Sequence, residues 1–378
     1  MKSKWIWCGM LVFALLAGAC GDGSGDEVDD GASSDGGTDE SLVEEVTLRY
    51  AQAGTMTPTN TAQVAIPEVL GYWAEEGVVA DQSVMQGSGE VVQALDAGNI
   101  DVTITTTAQA ASAIAQGSPL RIIASYVNGN IWTPFVPEDS PIQEVEDLAG
   151  TTVGVPNLES GAVPTFGALL GTVGLGLDDV DLVAAGTGPE VVALLESGQI
   201  DVYAASDGHQ ALVQREKDMR GITNDAFGEI GFHVVMVARD DVVEEHRTAL
   251  VGLMRGLFKG IVVARENPEA GVAMLYQVFP DNQPTGMSDE EVIEAGLPGL
   301  LARLANIQPV DGLEGNTTDE QIRAHLEFLI ANGDLETDDL DGLVAQMWDP
   351  SLLEEANDFD RDAIVEQAAT LEWQAYLP

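Results

Sequence analysis

Groups able to do chemistry are scarce in this chain, and most are hydrogen-bonding groups rather than nucleophiles. The two cysteines, Cys8 and Cys20, both lie near the N-terminus. The rest of the chain can therefore form no disulfide and holds no thiol for redox or acyl-transfer chemistry. The four histidines, His209, His233, His246 and His325, show neither i, i+4 pairing nor the carboxylate spacing of a zinc site, so neither a metal nor another cofactor is expected. No Ser-His-Asp or paired-carboxylate arrangement has a spacing that demands catalysis. Small donors and acceptors cluster instead at four places: Thr55, Thr57 and Asn60 in AGTMTPTNT (53–61), Thr105, Thr106 and Thr107 in TTTA, Ser160, Gly161 and Ala162 in ESGA, and Asp207 in ASDGH (205–209). Groups of this kind bind a solute without reacting with it.

Each cluster falls where a strand pattern gives way to a helix pattern. Val46 onward alternates like a strand (VTLRYAQ), 62–76 reads as a helix, and the two patterns then alternate to the end. That order predicts an α/β protein, and in an open α/β sheet ligands sit beyond the carboxyl ends of the strands. Ser160 and Gly161 can direct several helix N-terminal N–H groups at a carboxylate, sulfonate or nitrate; Ser160 is equally an ordinary N-cap. Of Thr105, Thr106 and Thr107, one is expected to touch ligand, the others being common strand residues. Asp207 can receive an amino or ring N–H, or can simply cap a turn before Gly208. Tyr126, Asn128 and Trp132, at or past the strand RIIASY, would suit a flat ring, although Trp132 can instead pack at a hinge. His233 and His209 could be neutral donors or structural histidines. None of the four loops contains Lys or Arg. A strongly charged anion held by salt bridges is therefore disfavoured, leaving an anion held by neutral donors or a neutral, zwitterionic or heteroaromatic solute.

An internal repeat organises these loops into two sets. EVVQALDAGNIDV (90–102) and EVVALLESGQIDV (190–202) match at an offset of one hundred residues, and the upstream strand VTLRYAQAG aligns roughly with TVGVPNLES. Two facing lobes follow, each a mixed sheet flanked by helices. The expected division is 46–132 plus 238–378 for the first lobe with the C-terminal helices and 133–237 for the second. Crossings are expected near IWTPFVP and FHVVMVA. A single long sheet is the alternative.

The N-terminus reads as an export signal: Lys2 and Lys4, an apolar run from Trp5 to Leu16, then LAGAC ending at Cys20. The expected reading is a signal peptide over 1–19, acylation of Cys20, and an acidic Gly/Ser-rich tether over 20–45 that cannot bury enough surface to fold. The chain has 15 basic and 63 acidic residues; without Lys2 and Lys4 the balance is 13 against 63, a net charge of −50. Nucleic acid would be repelled, and membrane attachment must come from the acyl anchor alone. A monomer is expected.

Four motifs carry a family resemblance: GYWAEEG (71–77), GNIDV (98–102), DLAGTTVGV (147–155) and NPEA (267–270). In this order and spacing the chain resembles the solute-binding proteins of the nitrate, sulfonate, taurine and hydroxymethylpyrimidine importers, a branch of the type II periplasmic binding fold. The resemblance covers most of Val46 to Ala356. Thr151 stands where that family usually has Lys or Arg. The resemblance implies capture of a small solute between two lobes and delivery to an ABC permease with its ATPase. A pyrimidine-forming enzyme of the same fold is the rival, but it uses a cysteine-rich segment this chain lacks; a surface sensor is the third possibility.

Overall fold

A computed structural model describes residues 45–228 and 231–378; the expected export signal, Cys20 and nearly all of the expected tether lie outside the described residues. Along the chain the first lobe runs β1 (Val46–Ala53), β2 (Val78–Met85), α1 (Ser88–Asp96), β3 (Val102–Thr106), α2 (Thr107–Ala115) and β4 (Leu120–Val127). The second contains β5 (Phe135–Pro137), β6 (Thr152–Val155), α3 (Ala162–Gly171), β7 (Asp181–Ala184), α4 (Pro189–Glu196), β8 (Val202–Tyr203), α5 (Asp207–Gln214) and β9 (Met219–Gly221). The chain then returns through β10 (Val234–Arg239) to the helices α6 (Arg247–Glu266), α7 (Pro268–Val278), α8 (Asp289–Ala305) and α9 (Asp319–Ala331).

Two five-stranded sheets result, with the orders β2-β1-β3-β10-β4 and β7-β6-β8-β5-β9. They correspond strand for strand. In each the first three positions are parallel and the fourth strand is antiparallel to both neighbours. The repeated sequence occupies the same place in both: α1 leads into β3, and α4 into β8. Gly98 (φ 72°) and Gly198 (φ 68°) end those helices in the left-handed region that glycine adopts without strain. Each repeat's aspartate then ties its strand to the neighbour, Asp101 Oδ2 accepting from Arg49 N at 2.8 Å and Asp201 Oδ2 from Thr152 N at 2.9 Å. The Ile-Asp-Val motif is thus a strand-pairing device.

Three expectations need correction. The helix anticipated over 62–76 is broken into turns at Thr61–Val64, Ile66–Val69 and Tyr72–Glu75, since Pro67 cannot continue a helical hydrogen-bond ladder and Gly71 is left-handed at φ 75°. The boundary placed at 237/238 falls inside β10, all of which pairs with β3 and β4 in the first sheet. And the C-terminal helices do not serve the first lobe alone. On α9, Ile322, Leu326 and Leu329 pack into the first-lobe core that holds Ile122 and Val235, whereas Phe328 packs on the second-lobe core around Phe166 and Phe227.

The largest core lies on one face of the first sheet, where the long apolar α6 buries Leu250, Leu253, Met254, Leu257 and Phe258 against Leu48, Tyr50 and Met236. Trp73 closes it. Its ring meets Tyr50 edge to face at 6.1 Å and its Nε1 donates to Leu253 O at 3.0 Å. The NPEA motif marks the turn into α7: Asn267 Oδ1 accepts from Ala270 N at 3.1 Å, with Pro268 at the first helical position. Among the described residues no helix is long and apolar enough to cross a membrane.

Candidate functional site

A cleft of about 570 Å³ opens where the carboxyl ends of the parallel strands of both sheets face each other. From the first lobe it is lined by the segment after β1 (Gln52 to Thr57, Thr59, Asn60, Gln63), the end of β2 with the start of α1 (Val84 to Ser88), and the end of β3 (Ile104 to Thr106). From the second come Pro156, Asn157, Ser160 and Gly161 after β6, Gly186, Thr187 and Glu190 after β7, and Ser206 and His209 after β8. Ile131 and Trp132 of the crossing segment form the floor with Val234, and Phe279, Asn282 and Arg303 reach in from the C-terminal helices. Five helices, α1 to α5, begin at this cleft, so their free N–H groups converge on it.

The lobes touch across the cleft. A Cβ on Gly161 would lie 2.6 Å from Thr106 Cγ2 and 3.0 Å from Ser88 Oγ, and one on Gly87 would lie 2.7 Å from Glu159 O. Asn157 Nδ2 donates to Gln86 O at 3.2 Å. On the far side, Gly208 of α5 approaches Thr57 and Thr59 so closely that a Cβ would meet their hydroxyls at 2.6 and 2.8 Å.

Of the sequence candidates, Thr55, Thr57, Asn60, Thr105, Thr106, Ser160 and Gly161 line the cleft. Thr106 Oγ1 accepts from Gln109 N at 3.4 Å and so caps α2, and Ser160 Oγ accepts from Ala162 N at 3.2 Å one residue ahead of the N-cap Gly161. Ala162 is buried behind the lining. Thr107 is turned away, its hydroxyl donating to Phe232 O. Tyr126 and Asn128 sit at the end of β4, an edge strand of its sheet, and neither is in the lining; Asn128 Nδ2 donates to Asn316 O at 3.1 Å. Tyr126 is wholly buried, and burial, the largest influence, pushes its phenol up. His233 stacks edge to face on His325 at 4.8 Å and lies outside the lining.

Arg303 was not anticipated. The four loops indeed lack basic residues, but α8 brings this one into the wall from a position remote in sequence. Its Nε donates to Asp207 Oδ2 at 2.7 Å and its Nη2 to Asp207 Oδ1 at 2.5 Å, both side chains being buried. Asp207 thus meets the guanidinium instead of the cleft. Burial opposes the Arg303 charge, but Asp207 outweighs it through its own charge and its hydrogen bonds and raises the guanidinium above its ordinary value. Beside the pair, burial lowers His209 to about 4, with Asp207 opposing, so the ring is neutral at physiological pH. Its Nδ1 lies 3.2 Å from Ser206 Oγ. Among the described residues no group of three or more His, Cys, Asp or Glu could hold a metal ion.

Two similar mixed sheets with a solute-sized cleft between them make this a two-lobed periplasmic-binding-protein fold. The model of the NMT1/THI5-like family matches residues 58–271, more than half of the chain, and the chain belongs to that family. Solved structures share the architecture at low identity. The alkanesulfonate-binding protein SsuA of Xanthomonas axonopodis pv. citri, bound to MOPS, is 17% identical with a TM-score of 0.60, covering 81% of this chain and 99% of that one. The periplasmic aliphatic sulphonate binding protein SsuA of Escherichia coli is 16% identical with a TM-score of 0.61, covering 81% and 92%. The periplasmic nitrate-binding protein NrtA of Synechocystis is 15% identical with a TM-score of 0.56, covering 87% and 99%. Among curated proteins none matches the sequence.

Proposed function

We propose that the protein is the extracytoplasmic solute-binding subunit of an ABC importer, capturing a small organic solute or oxyanion between its lobes and presenting the closed form to a permease. The observation that carries this reading is the cleft itself: both repeats contribute the loops at their strand ends, and the two walls touch at Gly161 and Gly208. Closure is favourable only when ligand contacts to both walls exceed the cost of bending the crossings and dehydrating the site. Thr55, Thr57, Asn60, Thr105 and Thr106 are the proposed contacts on one side, Ser160 and Gly161 on the other. Hydroxyls, amides and convergent N–H groups make a binding surface. The solved neighbours named for sulfonates and nitrate support the same use of the fold. Cys20 would carry the lipid that keeps the receptor at the membrane, and the acidic surface would remain soluble in salt.

A thermal-shift screen over sulfonates, nitrate, bicarbonate, pyrimidines, flavin-like rings and small amines tests the proposal, because a ligand that binds only the native state raises its stability by RT ln(1 + [L]/Kd). The expected result is at least one stabilising solute that also compacts the protein in solution scattering. A stabilising compound that is consumed would instead support an enzyme.

A further inference from the structure

The ion pair in the cleft wall bears on which solutes fit. Arg303 lies on α8, which packs against α7 and the turn at Pro58–Asn60, whereas Asp207 begins α5 of the second lobe. The pair therefore forms where the two lobes meet, and the contact is close: a Cβ on Gly299 of α8 would stand 3.0 Å from Ala211 Cβ of α5. Asp207 occupies one edge of the guanidinium, through Nε and Nη2. Among the described residues Nη1 has no hydrogen-bond acceptor, and Arg303 is the one Arg or Lys in the lining.

Resting on the solute-capture reading, we infer that the cleft selects an uncharged solute whose carbonyl-type oxygen accepts from Arg303 Nη1, and discriminates against carboxylates, sulfonates and nitrate. The charge of Arg303 is already compensated. An anion at Nη1 would gain from the guanidinium but be repelled by Asp207 held against the same group, leaving its dehydration uncompensated. An amide, lactam or ureide oxygen loses less hydration and still receives a charge-assisted hydrogen bond. The helix N-termini around the cleft lead to the same conclusion, for three of them already carry the protein's own carboxylates. Glu90 Oε2 accepts from Gln86 N at 2.7 Å ahead of α1, and its repeat counterpart Glu190 accepts from Thr187 N and Gly188 N, each at 3.1 Å, ahead of α4. Asp207 accepts from Gly208 N at 2.8 Å in α5. At these three of the five helix starts, N–H groups on which a free anion would dock are taken up from within.

The test uses isosteric probes, nicotinamide against nicotinate and benzamide against benzenesulfonate, with nitrate added, titrated by calorimetry and thermal shift into the purified protein. The expected result is binding of the neutral member at least tenfold tighter than its anionic partner. Asp207→Asn, which leaves the guanidinium uncompensated, should shift that ratio at least tenfold toward the anion. The double variant Asp207→Asn/Arg303→Gln, with neither charge buried, should fold and lose any gain for anions. Equal or tighter binding of the anionic members by the unaltered protein overturns the inference and leaves solute capture standing, as does an unchanged ratio in a folded Asp207→Asn variant. Absence of binding by every probe, with no compaction in scattering, counts against solute capture as well.

Discussion

Gly161→Ala separates lobe closure from lobe stability. Gly161 has right-handed helical angles (φ −59°, ψ −14°), so alanine fits its backbone without strain and, by narrowing the unfolded ensemble, would stabilise an open lobe by about 0.4–1 kcal/mol. In the structure described here that same Cβ would stand 2.6 Å from Thr106 Cγ2 and 3.0 Å from Ser88 Oγ, both on the opposite wall. Carbon atoms prefer separations of about 3.5–4.0 Å, so the lobes must part by roughly an ångström at this point. Rotating Thr106 to make room would sacrifice its cap on Gln109 N. Overpacking of this kind costs about 1–3 kcal/mol, and here the cost falls on the closed state alone. It should therefore appear as a Kd raised roughly 5- to 150-fold, with the unliganded melting temperature unchanged or slightly higher. Gly154→Ala is the matched control. Its Cβ would lie 2.8 Å from both Ala185 Cβ and Ile200 Cδ1 within the second lobe, so it should lower the melting temperature and leave Kd alone. Calorimetry with a solute from the screen, alongside melting curves, reads both quantities. Affinity within twofold of the unaltered protein for Gly161→Ala, or the same pattern in both variants, would refute the reasoning.

Trp73→Ala, which deletes a ring only 1% exposed together with its contact to Tyr50 and its bond to Leu253 O, should destabilise the protein by about 3–5 kcal/mol in denaturant titration without changing ligand preference. Burial holds His325 down at about 4, its hydrogen bond to Gly231 O opposing; the unfolded chain takes up a proton near pH 6.5 that the folded chain refuses. Stability should therefore fall as pH drops from about 6.5 to about 4, by roughly 3 kcal/mol for this histidine, and His325→Gln should flatten that part of the pH–stability curve; an identical slope in the variant counts against the assignment. Mass spectrometry of membrane-extracted protein should find a mature N-terminus at a diacylglyceryl-modified Cys20, and release of the unmodified chain into the medium would remove the proposed anchor.

The fold class and family were legible in the sequence because a repeat constrains far more than its length. Glu90–Val102 and Glu190–Val202 specify a helix, a glycine that must turn left-handed, and an aspartate that binds the neighbouring strand, and the two copies occupy matching places in the two sheets. The helix expected over 62–76 failed for a local reason: its apolar spacing is helical, but Pro67 and Gly71 interrupt the ladder, and the spacing alone does not say which signal prevails. The loops after β1, β3 and β6 could be chosen from the rule that ligands meet strand ends, and they line the cleft. The loop after β4 is split: its Ile131 and Trp132 line the cleft, whereas Tyr126 and Asn128 do not. Tyr126 is taken into the core of the first lobe, and the Asn128 amide is tied to Asn316 O.

Arg303 marks the harder limit. In sequence it is a basic residue in the last turn of a long helix, where a cation complements the helix dipole and lies by default in solvent. What turns it inward is the packing of α8 against α5, mediated by Gly299 and Gly208, each too close to a neighbour to carry a side chain without displacing it. Asp207 likewise had two local readings, a ligand for an amine and a turn residue, and takes neither role alone: it caps Gly208 N while holding a guanidinium ninety-six positions away. Local pattern assigns such residues to surface or turn because a buried charge is expensive. The expense is offset only when its partner is present, and the partner is supplied by tertiary structure. Loops chosen by local chemistry therefore outline the cleft, while the charge balance proposed to select its solute depends on a contact between lobes that no local pattern encodes.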